Sequence, residues 1–363
     1  MELILAEEQR LLRASAERLI AECAAPRPGE RAGAARPFAP TVWTKIAEAG
    51  WLAILVPESA GGLGLGIVDL CLVAETAGQA PLVEPIGLAA VAAGALAATE
   101  GDPDRDRLLD AIVSGATIVV PVFDEGGSLA LSGAARPGAA VALSGTVAGV
   151  GAADRAAGFL VAAESADGPA LAWVERAAPG LDCRVAPTVD AGAVAALGFA
   201  NTPARVLAGP NCAAAILAQA YDRLLLVASA ELLGAMERAH ALALDYTKTR
   251  QQFDRPIASF QALQHRAVTD YTQIELSRSL LYQVCLLADE GRLAPGLTSA
   301  VKARASTAAL AVTKSAIQLH GAIGYTSELG VGQYLKRALA LSSQHGNDAW
   351  HRRRYARLTG LGG

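Results

Sequence analysis

A guanidinium, amide groups and aromatic rings fall within one short segment of this 363-residue chain. The segment follows residues 217–249, whose apolar residues recur at helical spacing and predict a long helix that Pro256 brings to an end. An arginine fork can bind a phosphate diester, and an amide or a ring can recognise a planar heterocycle. An ordinary helix–turn–helix corner capped by polar side chains explains the same residues, and chemistry alone favours it. The residues concerned are Arg250, Gln252, Phe253, Phe260 and Gln261.

Composition excludes several functional classes. The net charge is −4 with mixed signs, so neither nucleic acid nor an anionic membrane surface is a predicted partner. Charge-free runs such as residues 85–99 are too short to span a bilayer, and the acidic first residues lack the basic start of a secretory signal. Five cysteines without CxxC spacing predict buried small apolar residues, with neither disulfides nor a metal site. We therefore expect a soluble cytoplasmic protein.

The hydrophobic pattern divides the chain into three blocks and predicts an α+β fold that is mostly α. Helical spacing covers residues 1–115, an N-terminal helical domain. Short apolar runs separated by Gly, Pro, Asp and Ser predict a compact middle β domain over residues 116–208, with residues 201–213 as the linker that leaves it. Helical spacing returns in residues 209–363, which we expect to form a helical bundle that also mediates oligomerisation.

Three motifs resemble signatures of the acyl-CoA dehydrogenase family. Residues 250–264 resemble its helix-corner motif, Arg-x-Gln-Phe-x-x-Pro-Ile-x-x-Phe-Gln-x-x-Gln. Residues 318–326 are similar to its Gln-x-x-Gly-Gly-x-Gly-Tyr-Thr segment, and residues 43–64 resemble an N-terminal signature. The three stand in the family's order and span most of the chain, which is therefore identified as a member.

The resemblance implies a fold, a cofactor and partners. The family has an N-terminal helical domain, a middle β-barrel-like domain and a C-terminal four-helix bundle that tetramerises. It uses FAD, an acyl-CoA substrate and, by default, an electron-transfer flavoprotein as electron acceptor. In the family the corner Arg, Gln and Phe bind the pyrophosphate and adenine side of FAD that a neighbouring subunit mainly holds. The expected cofactor-binding residues are Arg250, Gln252, Phe253, Phe260, Gln261, Gln318, His320, Gly321 and Ala322.

The family's catalytic base is a glutamate, and neither of its two known positions carries a carboxylate here. Counting forward from Gln318 without a gap, the Glu-Gly pair falls on His345 and Gly346; counting back from Arg250, the alternative base position falls on Leu224. His345 could replace the base, because imidazole titrates near neutrality. It could equally be a polar loop residue in a vestigial pocket.

Two acidic residues bear on the same question. Asp222 matches a family residue on the CoA side of the substrate, and with Gly346 it predicts substrate binding. Glu231 is a further substitute base, although a solvated or helix-pairing carboxylate explains it better.

The β block departs further from the family. The Thr-Glu-Pro…Gly-Ser-Asp stretch that should follow Val122 is replaced by residues 123–129, and the Asn-Gly-x-Lys-x-Trp segment by residues 144–149. Val147 stands for the Lys and Gly149 for the flavin-shielding Trp. A glycine offers neither a stacking surface nor water exclusion. We therefore predict that the chain does not hold its own flavin.

Three hypotheses follow. The chain is one subunit of a heterotetrameric, steroid-degradation type acyl-CoA dehydrogenase whose homologous partner holds flavin and base. Alternatively, it is a self-sufficient homotetramer with His345 as base, or a non-catalytic acyl-CoA-binding or structural homologue. The residues favour the first, because those that reach a neighbour's cofactor are intact and those that would hold its own are not.

Overall fold

The computed structural model describes residues 5–24, 38–80, 82–100, 104–123, 128–326 and 328–361. The first helices are α1 (Glu7–Ala24), α2 (Pro40–Glu48), α3 (Ile67–Gly78), α4 (Ile86–Ala97) and α5 (Arg105–Val113). The strands of the middle block are β1 (Val119–Val122), β2 (Ala130–Ser132), β3 (Ala140–Gly151), β4 (Gly158–Ser165), β5 (Gly168–Glu175), β6 (Leu181–Pro187) and β7 (Ala193–Ala208). The later helices are α6 (Pro210–Thr249), α7 (Gln261–Asp289), α8 (Leu297–His320), α9 (Val331–Ser343) and α10 (Asp348–Leu358).

The predicted order of helices, strands and helices is confirmed, while the three domain boundaries stay predictions. The linker expected over residues 201–213 is wrong, because β7 continues to Ala208 with alternating buried side chains and α6 begins at Pro210. Asn201 and Pro203 suggested a turn, but Pro203 lies opposite Ala142 within the sheet. Residues 124–127, part of the altered stretch after Val122, lie outside the described residues.

The strands form a seven-stranded sheet that closes on itself. Its order is β1-β4-β2-β3-β7-β5, and β5 also pairs with β4, while β6 adds to β7. β1 and β2 run parallel to β4, and the pairs β2–β3, β3–β7, β4–β5, β5–β7 and β6–β7 are antiparallel. This closure removes most free edges, as in a barrel, and confirms the predicted barrel-like character of the block.

Helix α6 is the central element of the helical core. It packs against α3, α4, α7, α8 and α9, and most of its apolar side chains are buried. Gly78 and Gly234 permit the close approach of α3, because a Cβ at either would come within 2.2 Å of a carbonyl oxygen on the facing helix. By length and composition α6 could cross a membrane, but more than half of its most apolar stretch is buried. The buried core helix of a soluble protein can have the same length and apolar composition.

The cysteines match the prediction only in part. All five are free; Cys23, Cys71 and Cys285 are buried, but Cys183 is half-buried and Cys212 is exposed. The prediction of buried cysteines is therefore wrong for the last two, because a strand edge and the first turn of α6 leave them accessible. Within the described ranges, no group of three His, Cys, Asp or Glu side chains could hold a metal ion.

Candidate functional site

The polar corner predicted from the sequence is an exposed hairpin. Helix α6 ends at Thr249, and β8 (Gln251–Gln252) then pairs with β9 (Arg255–Pro256). The turn residues Phe253 and Asp254 have φ of 53° and 62°, the left-handed pair that defines a type I′ turn. The end of the predicted helix at residue 249 is confirmed, but Pro256 does not end it. The strand pairing already takes up the backbone that follows Thr249.

The hairpin presents aromatic and cationic groups to solvent. Phe253 is 84% exposed, and its ring meets the ring of Phe260 edge-on at 6.0 Å. The guanidinium of Arg255 lies 4.3 Å from the centre of the Phe260 ring. A phenylalanine with positive φ is strained, and its exposed ring adds little to the chain's own stability. The predicted cofactor residues Arg250, Gln252 and Gln261 are also exposed.

The second predicted segment lies at the same end of the bundle. The ring of Tyr246, on the last turn of α6, stacks on His320 at 4.7 Å, where α8 ends. Gln318, Gly321 and Ala322 are exposed. Gly321 has φ 66°, and no described atom lies within 4 Å of the place a Cβ would take. The surface is therefore open above this turn.

His320 differs from its neighbours in this segment. Its side chain is 5% exposed, and Nδ1 lies 2.7 Å from the carbonyl oxygen of Ala316. The ring is thus engaged inside the chain.

Two cavities lie far from this corner. The outer cavity is lined by Phe123, Val147–Gly151, Tyr221, His345 and Gly346, among others. The inner cavity lies between the loop before α4, the β6–β7 turn, α6 and α9, and it shares Leu88 and His345 with the outer one. Leu224, on α6, lines the inner cavity and lies 25 residues before Thr249. At 1.5 Å per helical residue, the corner is about 37 Å away.

His345 stands between the two cavities. Its φ is 56°, and its carbonyl oxygen accepts hydrogen bonds from the Tyr221 hydroxyl at 3.1 Å and from Nε2 of His351 at 2.9 Å. Burial, and then the charge of Lys302, lower the pKa of His345 to about 4. The imidazole is therefore neutral near pH 7.

Lys302 is the residue here that sequence reasoning missed. It is fully buried on α8, and Nζ donates to Oγ of Ser306 at 3.2 Å and to the carbonyl oxygens of Ser342 and Gly346 at 3.4 and 3.3 Å. Burial lowers the pKa of Lys302 to about 8. The ammonium thus anchors the loop that carries His345. A lysine on a buried, small-residue face of a predicted helix was the available signal.

Comparison with known proteins decides the family. The acyl-CoA dehydrogenase N-terminal domain matches residues 6–116 and the C-terminal domain matches residues 215–359. The IpdE2 acyl-CoA dehydrogenase of Mycobacterium tuberculosis is 30% identical over 336 residues, which are 92% of this chain and 91% of the relative. The FadE27 acyl-CoA dehydrogenase of the same organism is 31% identical over 310 residues, 82% of each chain. The chain belongs to the acyl-CoA dehydrogenase family.

Solved structures agree with this membership. A steroid acyl-CoA dehydrogenase, Tcur3481-Tcur3483, superposes with a TM-score of 0.86 at 30% identity and covers 98% of both chains. The ChsE4-ChsE5 complex of Mycobacterium tuberculosis gives 0.85 at 25% identity and covers 99% of both. Residues 117–214, between the two matched domains, contain the β block in which the family motifs are altered.

Acyl-CoA dehydrogenases need a base, and the structure finds no carboxylate at either family position. Leu224 is 3% exposed, and His345 is neutral. The carboxylates that do line the inner cavity, within the described part of the chain, each have a partner there: backbone amides for Glu84, Arg155 for Asp154 and Arg337 for both Asp190 and Glu231. Glu231 lies two helical turns beyond Leu224, at the far end of the inner cavity.

The two residues predicted to bind substrate lie in different surroundings. Gly346 lines the outer cavity beside His345. Asp222 accepts a hydrogen bond from Oγ1 of Thr298 at 2.6 Å, and burial raises its pKa. Among the described residues it is not one of those that line either cavity. Its substrate contact stays a prediction.

The wall of the outer cavity does not fit a flavin held by this chain alone. Gly149, at the family's Trp position, has φ 78° and no described atom within 4 Å of its Cβ direction. The β3–β7 register shifts between Val147 and Val150, so the backbone itself is rearranged at this point. A tryptophan here would need a left-handed backbone. The exposed corner, by contrast, offers guanidinium groups and aromatic rings, which are groups that can bind phosphate and stack on a heterocycle.

Proposed function

We propose that the chain is one subunit of a heteromeric, FAD-dependent acyl-CoA dehydrogenase and lends its corner to a flavin held chiefly by a homologous partner. The position of the corner carries this proposal. Arg250 and Phe253 are exposed beyond the end of α6, which lies about 37 Å along the helix from Leu224 and about 27 Å from Glu231, the two α6 residues that bound the inner cavity. This separation supports a cofactor that is held by another subunit. Two similar structures, Tcur3481-Tcur3483 and the ChsE4-ChsE5 complex, each pair two differently named chains.

The corner residues have distinct roles in this proposal. Arg250 forms a charge-assisted contact to the pyrophosphate, and Phe253 and Phe260 give an aromatic surface to the adenine side. Gln252, Gln261, Gln318 and the open turn at Gly321–Ala322 add hydrogen bonds and close approach; His320 supports that turn through its stack with Tyr246. The flavin supplies the acceptor for the β-hydrogen in α,β-dehydrogenation of an acyl-CoA.

The proton chemistry then falls to the partner. Removal of the α-proton needs a base near the reacting carbon, and a carboxylate whose pKa is raised by burial meets this need. His345, with a pKa lowered to about 4, is a weak base near pH 7. One observation favours the self-sufficient alternative, namely that His345 lines both cavities. The proposed complex is cytoplasmic and passes its electrons to an electron-transfer flavoprotein.

Expression of the chain alone and with its partner distinguishes the three hypotheses. The chain made alone should purify without the visible absorbance of flavin, and co-expression with its partner should yield a yellow complex that reduces dye in the presence of acyl-CoA. Flavin retained by the chain alone would support the self-sufficient enzyme. Measurable acyl-CoA binding with neither flavin nor turnover in any complex would support a non-catalytic homologue.

The Arg250→Ala variant tests the corner directly. Loss of a charge-assisted contact should weaken flavin retention in the complex roughly ten- to hundredfold. Arg292→Ala is the matched control, because Arg292 is 70% exposed and follows α7 at the opposite end of the bundle. Equal flavin occupancy in both variants would refute the cross-subunit role.

A further inference from the structure

Three charged side chains from separate elements meet at the far end of the inner cavity. Nη1 of Arg337, on α9, donates to Oδ2 of Asp190 at 2.9 Å, and Nη2 donates to Oε2 of Glu231, on α6, at 2.6 Å. Asp190 belongs to the β6–β7 turn. The exposed fractions of the side chains are 14% for Arg337, 4% for Asp190 and 16% for Glu231. We refer to Asp190, Glu231 and Arg337 as the charged triad.

The carboxylate oxygen atoms of the charged triad differ in their hydrogen bonding. Oδ1 of Asp190 accepts from the Thr188 hydroxyl and from the amide of Gly192. Oε1 of Glu231 has no hydrogen-bond partner among the described residues, while Glu231 lines the inner cavity. The cavity therefore presents, at Glu231, an anionic acceptor that is free to bind a donor group of a ligand.

The rest of the inner cavity is lined by both apolar and polar side chains, and its α6 wall has a defined length. Val227 and Leu341 line it together with Leu224. Seven residues of α6 separate Leu224 from Glu231, which is about 10 Å along the helix. His345 and the outer cavity lie at the Leu224 end. An acyl group that enters from there passes Leu224 and Val227 on α6 before it reaches Oε1 of Glu231.

We propose that the inner cavity binds an acyl-CoA whose acyl group is neutral, reaches about 10 Å and carries a hydroxyl at its far end, with Glu231 as the specificity-determining residue. A hydroxyl donates to Oε1 of Glu231 and restores its missing hydrogen bond. A distal carboxylate is disfavoured, because both terminal nitrogens of Arg337 are already engaged and the triad carries a net charge of −1. A distal ammonium would lie close to the guanidinium of Arg337.

Three probes of equal chain length test the proposal by calorimetry on the full chain: 8-hydroxyoctanoyl-CoA, octanoyl-CoA and the CoA monothioester of octanedioic acid. A hydrogen bond to a charged acceptor should make the hydroxylated probe bind roughly ten- to hundredfold more tightly than octanoyl-CoA. The carboxylate-bearing probe should bind most weakly. Equal affinities for the first two, or no binding of any probe, would overturn the proposal.

A matched pair of variants separates the acceptor from the triad. Glu231→Gln removes the anionic oxygen, and the preference for the hydroxylated probe should fall to about threefold or less, since a neutral acceptor bonds more weakly. Asp190→Asn neutralises the other carboxylate that is paired with Arg337 but leaves Oε1 of Glu231 in place. The preference for the hydroxylated probe should therefore persist in this variant. Binding of octanoyl-CoA verifies that each variant is folded. Full preference in Glu231→Gln would overturn the proposal.

This inference rests on the acyl-CoA chemistry of the family and not on the heteromer. The binding assay measures no flavin and needs no partner. Failure of the probes would therefore leave the corner's role intact, and equal flavin occupancy in the Arg250→Ala and Arg292→Ala variants would leave the cavity's specificity intact.

Discussion

The C-terminal end and the middle of helix α6 differ in how their polar groups are used. At its C-terminal end, Arg250 and Phe253 stand exposed on a strained hairpin. Around its middle, Glu231 is bound to Arg337, and the loop of His345 is anchored by Lys302. Side chains that the fold does not use are available to another molecule, whereas those bound within the fold serve stability and pocket shape. This contrast supports the proposed roles of the corner at a partner's cofactor and of the interior in stability and substrate selection.

The largest expected effect is a loss of stability when the charged triad in the interior is disrupted. Arg337→Leu leaves two carboxylates buried without their cation, which should lower the free energy of unfolding by about 3–5 kcal/mol. Urea unfolding measures this change. Arg250→Leu serves as the corner control and should change stability by no more than about 0.5 kcal/mol. Equal losses in the two variants would abolish the contrast between the two regions.

Next in size is a pH effect at Lys302. Burial lowers its pKa to about 8 in the folded chain, against roughly 10.4 when unfolded. Between these values the unfolded chain binds more protons, so the free energy of unfolding gains about 1.4 kcal/mol per pH unit from this group. Wild type should therefore gain stability relative to Lys302→Met as pH rises from 8 to 9.5.

Denaturant unfolding at several pH values measures the gain at Lys302. The control is Lys314→Met, an exposed lysine on the same helix, which should show no such gain. Parallel profiles for wild type and Lys302→Met would mean that the buried amine is not the titrating group.

A smaller effect should separate function from stability at the corner. Phe253→Gly relieves a left-handed phenylalanine, so the stability of the chain should change by no more than about 1 kcal/mol. Flavin retention in the complex should nevertheless fall roughly tenfold through lost stacking. Leu11→Ala, which truncates another exposed apolar side chain (64% exposed), should leave flavin unchanged. A fall in stability with flavin retained would make Phe253 a structural residue.

The last substitution, at His345, is expected to leave turnover unchanged. His345→Glu restores a carboxylate at the family's base position, but the outer cavity lacks the wall that would hold a flavin beside it. Turnover of the complex, measured by dye reduction, should stay within about twofold of wild type. A gain of tenfold or more would show that this chain has a functional active site of its own. The proposed contrast between the corner and the interior would then be wrong.

Local motifs were predictable because each depends on residues close in sequence. The end of α6 at residue 249 and the return of helices after the β block follow from periodicity and breakers. Strand β6 was missed because most of its residues are exposed and offer no apolar run. The linker at residues 201–213 was mistaken because Asn and Pro are tolerated in β7, where pairing with β3 overrides their turn preference.

The amino-acid sequence alone determined the family and the cofactor class and predicted the loss of the carboxylate base, since these depend on residue types at fixed spacing. Only the tertiary structure decided that the corner is exposed, that His320 is buried beneath it and that Lys302 anchors the His345 loop. It also joined Asp190, Glu231 and Arg337, which lie as far as 147 residues apart in the chain. Contacts over such separations arise from helix and sheet packing, which no local spacing encodes.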